Sequence, residues 1–220
     1  MEDKERQSAF LSALSTEHFV LQSASSATVN ESAARASIYI MALSSFLVAM
    51  GFVSRSPEAF GPLVASVLPA LFLLGLFTVI RLVDINGQYL HYLAGMARIR
   101  SYYSGLTPDA VDYFEPDRGR PPKETIPALQ LGRGIAFLTT TSAMVAVINN
   151  ILAGAGVALL ARRLLGAGQT LLAVLLGVVA ALILTAAFLA FQKWRFGMFE
   201  LIQPPGRRPE RTKGANDRGR

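Results

Sequence analysis

The sequence predicts an all-α integral membrane protein: four transmembrane helices arranged as two hairpins, with cytoplasmic N-terminal and middle helices. Three observations lead there. Two long stretches, Gly134–Ala161 and Leu164–Gln192, hold no Asp, Glu, Lys or Arg and are interrupted only by Arg162-Arg163. A bilayer core takes about 20 helical apolar residues to cross, and each stretch exceeds that. The chain is 52% hydrophobic and only 16% charged, against about 25% charged in soluble domains. Finally, all but Arg55, Arg162 and Arg163 of the 21 Lys and Arg residues fall on one side of the implied spans. That asymmetry sets both termini and the long middle segment in the cytoplasm.

The chain divides in order. Residues 1–35 read as a cytoplasmic amphipathic helix. Phe10, Leu14, His18, Leu21, Ala24 and Thr28 recur at spacings of three or four, one apolar face of a 3.6-residue helix. Ser23 to Ala27 forms a small-residue strip that suits a packed neighbour or a surface for oligomerisation. Glu31 and Arg35 stand four apart in the favourable Glu-first order. No apolar core of about 7–15 residues sits between a basic start and a small-residue cleavage site, so the first apolar span is expected to be an uncleaved anchor.

Residues 36–80 form the first transmembrane hairpin, Ala36–Ser54 and Ala59–Ile80, joined by a very short connection. Ser44 and Ser45 can bond back to carbonyls one turn earlier. Pro69 removes a backbone donor and is expected to bend the second span. Residues 81–133 form a cytoplasmic helical segment and loop. Leu82, Ile85, Leu90, Leu93, Met96 and Ile99 continue an apolar stripe. Within Ala97–Tyr103, Arg98, Arg100, Tyr102 and Tyr103 suit phosphate binding and base stacking, and equally suit anchoring at the headgroup level. Thr107-Pro108-Asp109 reads as a helix start, and Glu115 to Glu124 as a loop.

Residues 134–192 form the second hairpin. Asn149 and Asn150 are its most informative side chains, because an unpaired amide in hydrocarbon is costly. Adjacent residues point about 100° apart. One is therefore expected to join helices within the subunit, and the other to join subunits or line a polar cavity. Thr139, Thr140 and Thr141 are the other candidates for a polar path. Gly154 with Ala158, Gly177 with Ala181, and Ala186 with Ala190 are small-xxx-small pairs. Residues 193–220 open with Lys193, Trp194, Arg195 and Phe196, a basic and aromatic exit, and end in a basic tail expected to be disordered.

Much chemistry is excluded or without a candidate. With no cysteine there are no disulfides or thiolate sites. His18 and His91 lie far apart, so no metal site is expected. No charged residue or histidine lies within a span, which counts against proton-coupled transport. No P-loop, dinucleotide fingerprint or nucleophile elbow is present. No catalytic residue can be nominated, and no cofactor or nucleic-acid partner is expected. The net charge of +6 is accounted for by loops facing anionic lipid in the bilayer.

Three stretches carry a resemblance: Glu17-His18-Phe19-Val20-Leu21-Gln22, Arg35-Ala36-Ser37-Ile38-Tyr39 and Ala97-Arg98-Ile99-Arg100-Ser101-Tyr102-Tyr103. With them the chain resembles small bacterial multi-span membrane proteins, in architecture the SLATT proteins and the transmembrane effectors of Pycsar antiphage systems. The resemblance covers roughly residues 15–160. It implies a homo-oligomeric inner-membrane effector that impairs membrane integrity when a partner cyclase makes a cyclic nucleotide. Arg98, Arg100, Tyr102 and Tyr103 would then be ligand or coupling contacts. The alternative is a non-catalytic scaffold or accessory subunit of a larger complex. A small channel, using Thr139–Thr141 with Asn149 and Asn150, is the third reading.

Overall fold

The computed structural model describes residues 2–114 and 140–202, and their regular structure is helical throughout. Four long helices carry it: α1 (Glu2–Val53), α2 (Pro57–Tyr103), α3 (Thr141–Leu165) and α4 (Thr170–Ile202). Each contains a stretch long and apolar enough to cross a membrane. Short 3-10 turns occupy Pro108–Asp112 and Ala167–Gln169. The predicted loop at Glu115 to Glu124 and the tail from Gly206 lie outside the described residues.

The first two helices far exceed a membrane span. At about 1.5 Å per residue, the 52 residues of α1 and the 47 of α2 run about 78 and 70 Å, against a hydrocarbon core of about 30 Å. From Glu2 to Met50 there is neither Gly nor Pro, so nothing in α1 interrupts the backbone ladder. The helix ends just past Gly51, where Ser54 bonds back to the Met50 carbonyl. Pro57 then opens α2 at a position whose N–H has no helical partner. Pro62 and Pro69 both lie inside α2, which stays helical through them.

The two long helices pack antiparallel in one register. The Phe10 and Tyr102 rings meet edge-on at 5.4 Å. Tyr103 donates its hydroxyl to the Leu11 carbonyl at 3.5 Å. A side chain on Gly95 would meet Leu21, and one on Gly75 would meet Tyr39. On α1 the inward row runs through Leu14, His18, Leu21, Ser25, Thr28, Ser32, Ala36 and Tyr39. The predicted stripe is therefore right in period, but Ser25 rather than Ala24 is buried, and Phe10 is half exposed.

Three helices share the central core, where Ala36 and Tyr39 of α1 meet Val79, Leu82 and Ile85 of α2 and Val145 and Ala146 of α3. A second cluster nearer the short connection joins Phe46, Leu71 and Leu152. Beyond it, α4 packs chiefly on α3. There the two helices touch backbone to backbone. A side chain added at Gly154 would meet the Gly177 carbonyl and Ala181, and one at Gly177 would meet the Gly154 carbonyl and Ala158. Two of the small-xxx-small pairs thus face each other. Ala186 and Ala190 are exposed instead.

Two expected boundaries move. The third helix as described begins at Thr141, where Thr140 caps it by accepting the Ala143 N–H at 3.3 Å; residues 134–139 of the expected span lie outside the described residues. It also continues past Arg162-Arg163, which sit in its last turn, where cations suit the helix dipole. The break comes at Gly166, whose φ of +87° is natural for glycine alone. The expected helix after Thr107 is a 3-10 turn. Met198 to Ile202 continue α4.

Candidate functional site: a polar collar around the second helix

Where α2 leaves its uncharged stretch, three nearby residues tie it to the other three helices. The Arg81 guanidinium donates twice to Glu31 of α1, at 3.0 and 3.1 Å, a fork that fits a carboxylate. Asp84 accepts from Arg195 of α4 at 3.1 Å. Asn86 donates from Nδ2 to the Ser142 hydroxyl of α3 at 3.1 Å. Steps of three and five residues turn a helix by about 300° and 500°, so the three side chains leave α2 in different directions.

The other helices close the ring. Gln192 of α4 donates from Nε2 to Thr140 Oγ1 at 3.3 Å and to Ser142 Oγ at 3.5 Å. The two hydroxyls lie 3.0 Å apart. Ser142 and Gln192 are almost wholly buried, at 0% and 1% exposure. Glu31 also accepts from Arg35 at 2.8 Å. The hydrogen bonds from Arg81 and Arg35 hold its carboxyl below the ordinary 4.5, and the same contact with Glu31 raises Arg81. Each ion pair is partly open to solvent, so both are held mainly by geometry and screened by salt.

Deeper in the apolar region the asparagines do what chemistry demands, both within the chain. Asn149 Oδ1 accepts from the Tyr39 hydroxyl, and its Nδ2 donates to the Phe72 carbonyl, each at 3.3 Å. Gly75 leaves the space for this amide, since any side chain there would overlap it. Asn150 turns the other way and donates to Thr185 of α4 at 3.2 Å. Each amide thus has a partner within the chain, because α3 is the middle helix and its two sides have different neighbours. Thr140 is a cap and part of the collar. Thr139 lies outside the described residues.

Of the four predicted contact residues, Tyr102 and Tyr103 meet as rings 6.2 Å apart, while the two arginines do not line one groove. Tyr102 packs edge-on against Phe10, and Tyr103 packs on Phe114 at 5.4 Å. The first contact joins α2 to α1, and the second ties α2 to the turn that follows it. Arg98 donates weakly to its own helix at Ala94, 3.4 Å away, and faces a groove that Arg100 does not line. Arg98 lies 18 positions beyond Ile80, about 27 Å along the helix axis.

The collar was not singled out from the sequence. Asp84 and Asn86 look like ordinary polar residues past a span, Ser142 lies inside an uncharged stretch and Gln192 ends one. Among the described residues no group of three His, Asp or Glu converges as a metal site would require. Comparison with protein-family models, with curated proteins and with solved structures finds no match for this chain.

Proposed function

We propose that this chain is a non-catalytic membrane effector of the bacterial inner membrane, with two transmembrane hairpins and both termini in the cytoplasm. The α1–α2 extension receives a cytosolic signal and carries it into the membrane. The observation that supports this most is continuity. Both helices run unbroken from the extension into the apolar region, and the collar fastens α2 to every other helix where it enters. A displacement of the extension has no loop to absorb it and must move the spans. In the nucleotide-signalled form, homo-oligomers of the chain impair the membrane when a partner cyclase makes a cyclic nucleotide during phage infection.

The test is membrane potential, read with a voltage-sensitive dye in bacteria expressing the chain while cyclases supply cyclic nucleotides one at a time. Depolarisation with one nucleotide is the expected result. Potential unchanged by every one, with insertion verified, would contradict the effector reading.

A scaffold is the second reading. Phe19 and Val20 are 67% and 55% exposed on α1, about 25 Å outside its uncharged stretch, where lipid does not cover them. Exposed apolar groups in water suit a protein partner. This reading predicts a stable co-purifying protein and no depolarisation.

A further inference from the structure

Glu31 holds two guanidiniums, one from each long helix. Its Oε1 accepts from Arg35 Nε at 2.8 Å and from Arg81 Nε at 3.0 Å. Those two nitrogens are therefore no farther apart than the two bonds laid end to end, about 5.8 Å. Arg81 adds a bond from Nη2 to Oε2 at 3.1 Å. A guanidinium has five N–H donors, so both groups keep donors beyond those that Glu31 takes. Their side chains are 45% and 37% exposed. In charge the trio is two cations to one anion, a surplus of one, whereas the ion pair of Arg195 with Asp84 sets one cation against one anion. Height decides what can meet the surplus. Arg35 directly precedes the uncharged stretch of α1, and Arg81 directly follows that of α2, which places both where hydrocarbon gives way to headgroups. Residues three or four positions away lie on the same face of a helix. Toward the hydrocarbon these are Ile38 for Arg35 and Phe77 for Arg81, exposed by 55% and 67%. A cationic pair thus stands over exposed apolar side chains on both helices.

We infer that Arg35 and Arg81 bind the phosphodiester of an anionic phospholipid whose acyl chains lie over Ile38 and Phe77. A phosphodiester carries one negative charge, which cancels the surplus, and its two non-bridging oxygens can accept from both guanidiniums. Glu31 holds the pair in place before lipid arrives, so less side-chain freedom is lost on binding. Charge also selects among lipids. A headgroup that adds an ammonium to the phosphate brings a cation to a site where cations are already in excess, and a glycerol headgroup does not. Each cation at this height is worth about fivefold in affinity for an anionic lipid. Free phosphate offers the same anion but nothing to cover Ile38 and Phe77. The inference is independent of the effector reading above, because it concerns the lipid around the spans and no signal.

Native mass spectrometry of the purified full chain in detergent counts bound lipid directly. The probes are phosphatidylglycerol and phosphatidylethanolamine with matched acyl chains, and inorganic phosphate. The expected result is one phosphatidylglycerol held about fivefold or more tightly than phosphatidylethanolamine. Arg35→Gln leaves the fork between Arg81 and Glu31 in place and should weaken phosphatidylglycerol binding about fivefold. Arg35→Lys keeps the charge and should weaken it by less than about twofold. Lys193→Gln removes a cation at the same height on α4 and should also change affinity less than about twofold. Circular dichroism checks that each variant keeps its helices. Equal retention of the two lipids by the natural chain overturns the proposal, as does retention of neither. A loss on Lys193→Gln as large as that on Arg35→Gln overturns the site, since it means general attraction to a basic surface. Inorganic phosphate displacing the lipid at comparable concentration overturns a lipid as the occupant.

Discussion

Asn149 and Asn150 differ in what they leave behind when removed. Replacing Asn149 with Leu strands the Tyr39 hydroxyl, which is fully buried. Replacing Asn150 with Leu strands little, because Thr185 keeps its own bond to the Ala181 carbonyl at 2.8 Å. Polar contacts within membranes contribute about 0.6–1.7 kcal/mol, and an unpaired buried donor adds to the loss. Asn149→Leu should therefore cost about 1–2 kcal/mol and Asn150→Leu distinctly less, as read from thermal unfolding in mild detergent. A second prediction belongs to Glu31. Its carboxyl is held below 4.5 when folded, first by Arg81 and then by Arg35, and rises toward the ordinary value when the protein unfolds and these contacts are lost. A depressed pKa gives stability that is complete above the ordinary value and is lost as pH falls through the folded one. The unfolding midpoint of the natural chain should exceed that of Glu31→Gln at about pH 7, and the gap should close toward about pH 3. Raised salt should narrow it too, because both partners are partly exposed. Sequence reasoning found that the asparagines need partners in different directions. It could not place both partners inside the chain, since that depends on α3 being central.

At the scale of elements, the α3–α4 contact is the most exacting. Gly154 and Gly177 touch through backbone, which cannot yield as a side chain can. Gly154→Val should push the helices apart, break the Asn150–Thr185 bond and lower the folded fraction. Thermal unfolding in mild detergent reads this as a lowered midpoint. Gly51→Ala is the counter-case. Nothing lies within 4 Å of the position, and a helical alanine is favoured over glycine by about 0.5–1 kcal/mol, so this change should stabilise the protein slightly. The four elements were legible because crossing a membrane is a property of summed hydropathy, which a sequence displays directly. Their ends were less so. Thr140 and Gly166 act through a single cap bond and a single dihedral angle, and neither leaves a compositional trace. The collar was the least legible. Its members pair across 50 to 111 positions, and the pairing exists only once the helices have docked.

The whole molecule couples a long two-helix extension to a set of apolar helices through one ring of polar contacts. That coupling holds only if α2 is one rod. Pro69 was expected to bend it, and Gly87 and Gly95 weaken the helix beyond, so a hinge at any of them would let the extension move alone. The chain has no cysteine, so two introduced ones carry spin labels without competition. Gly61, which stands in open space, and Gln88, which is exposed, suit the labels and bracket both Pro69 and the collar. The most direct measurement is the distance between them in nanodiscs by pulsed electron spin resonance. An unbroken helix predicts a single narrow distribution near about 40 Å, at 1.5 Å per residue. A broad distribution, or one centred well below that value, would place a hinge between extension and spans and contradict the proposed transmission.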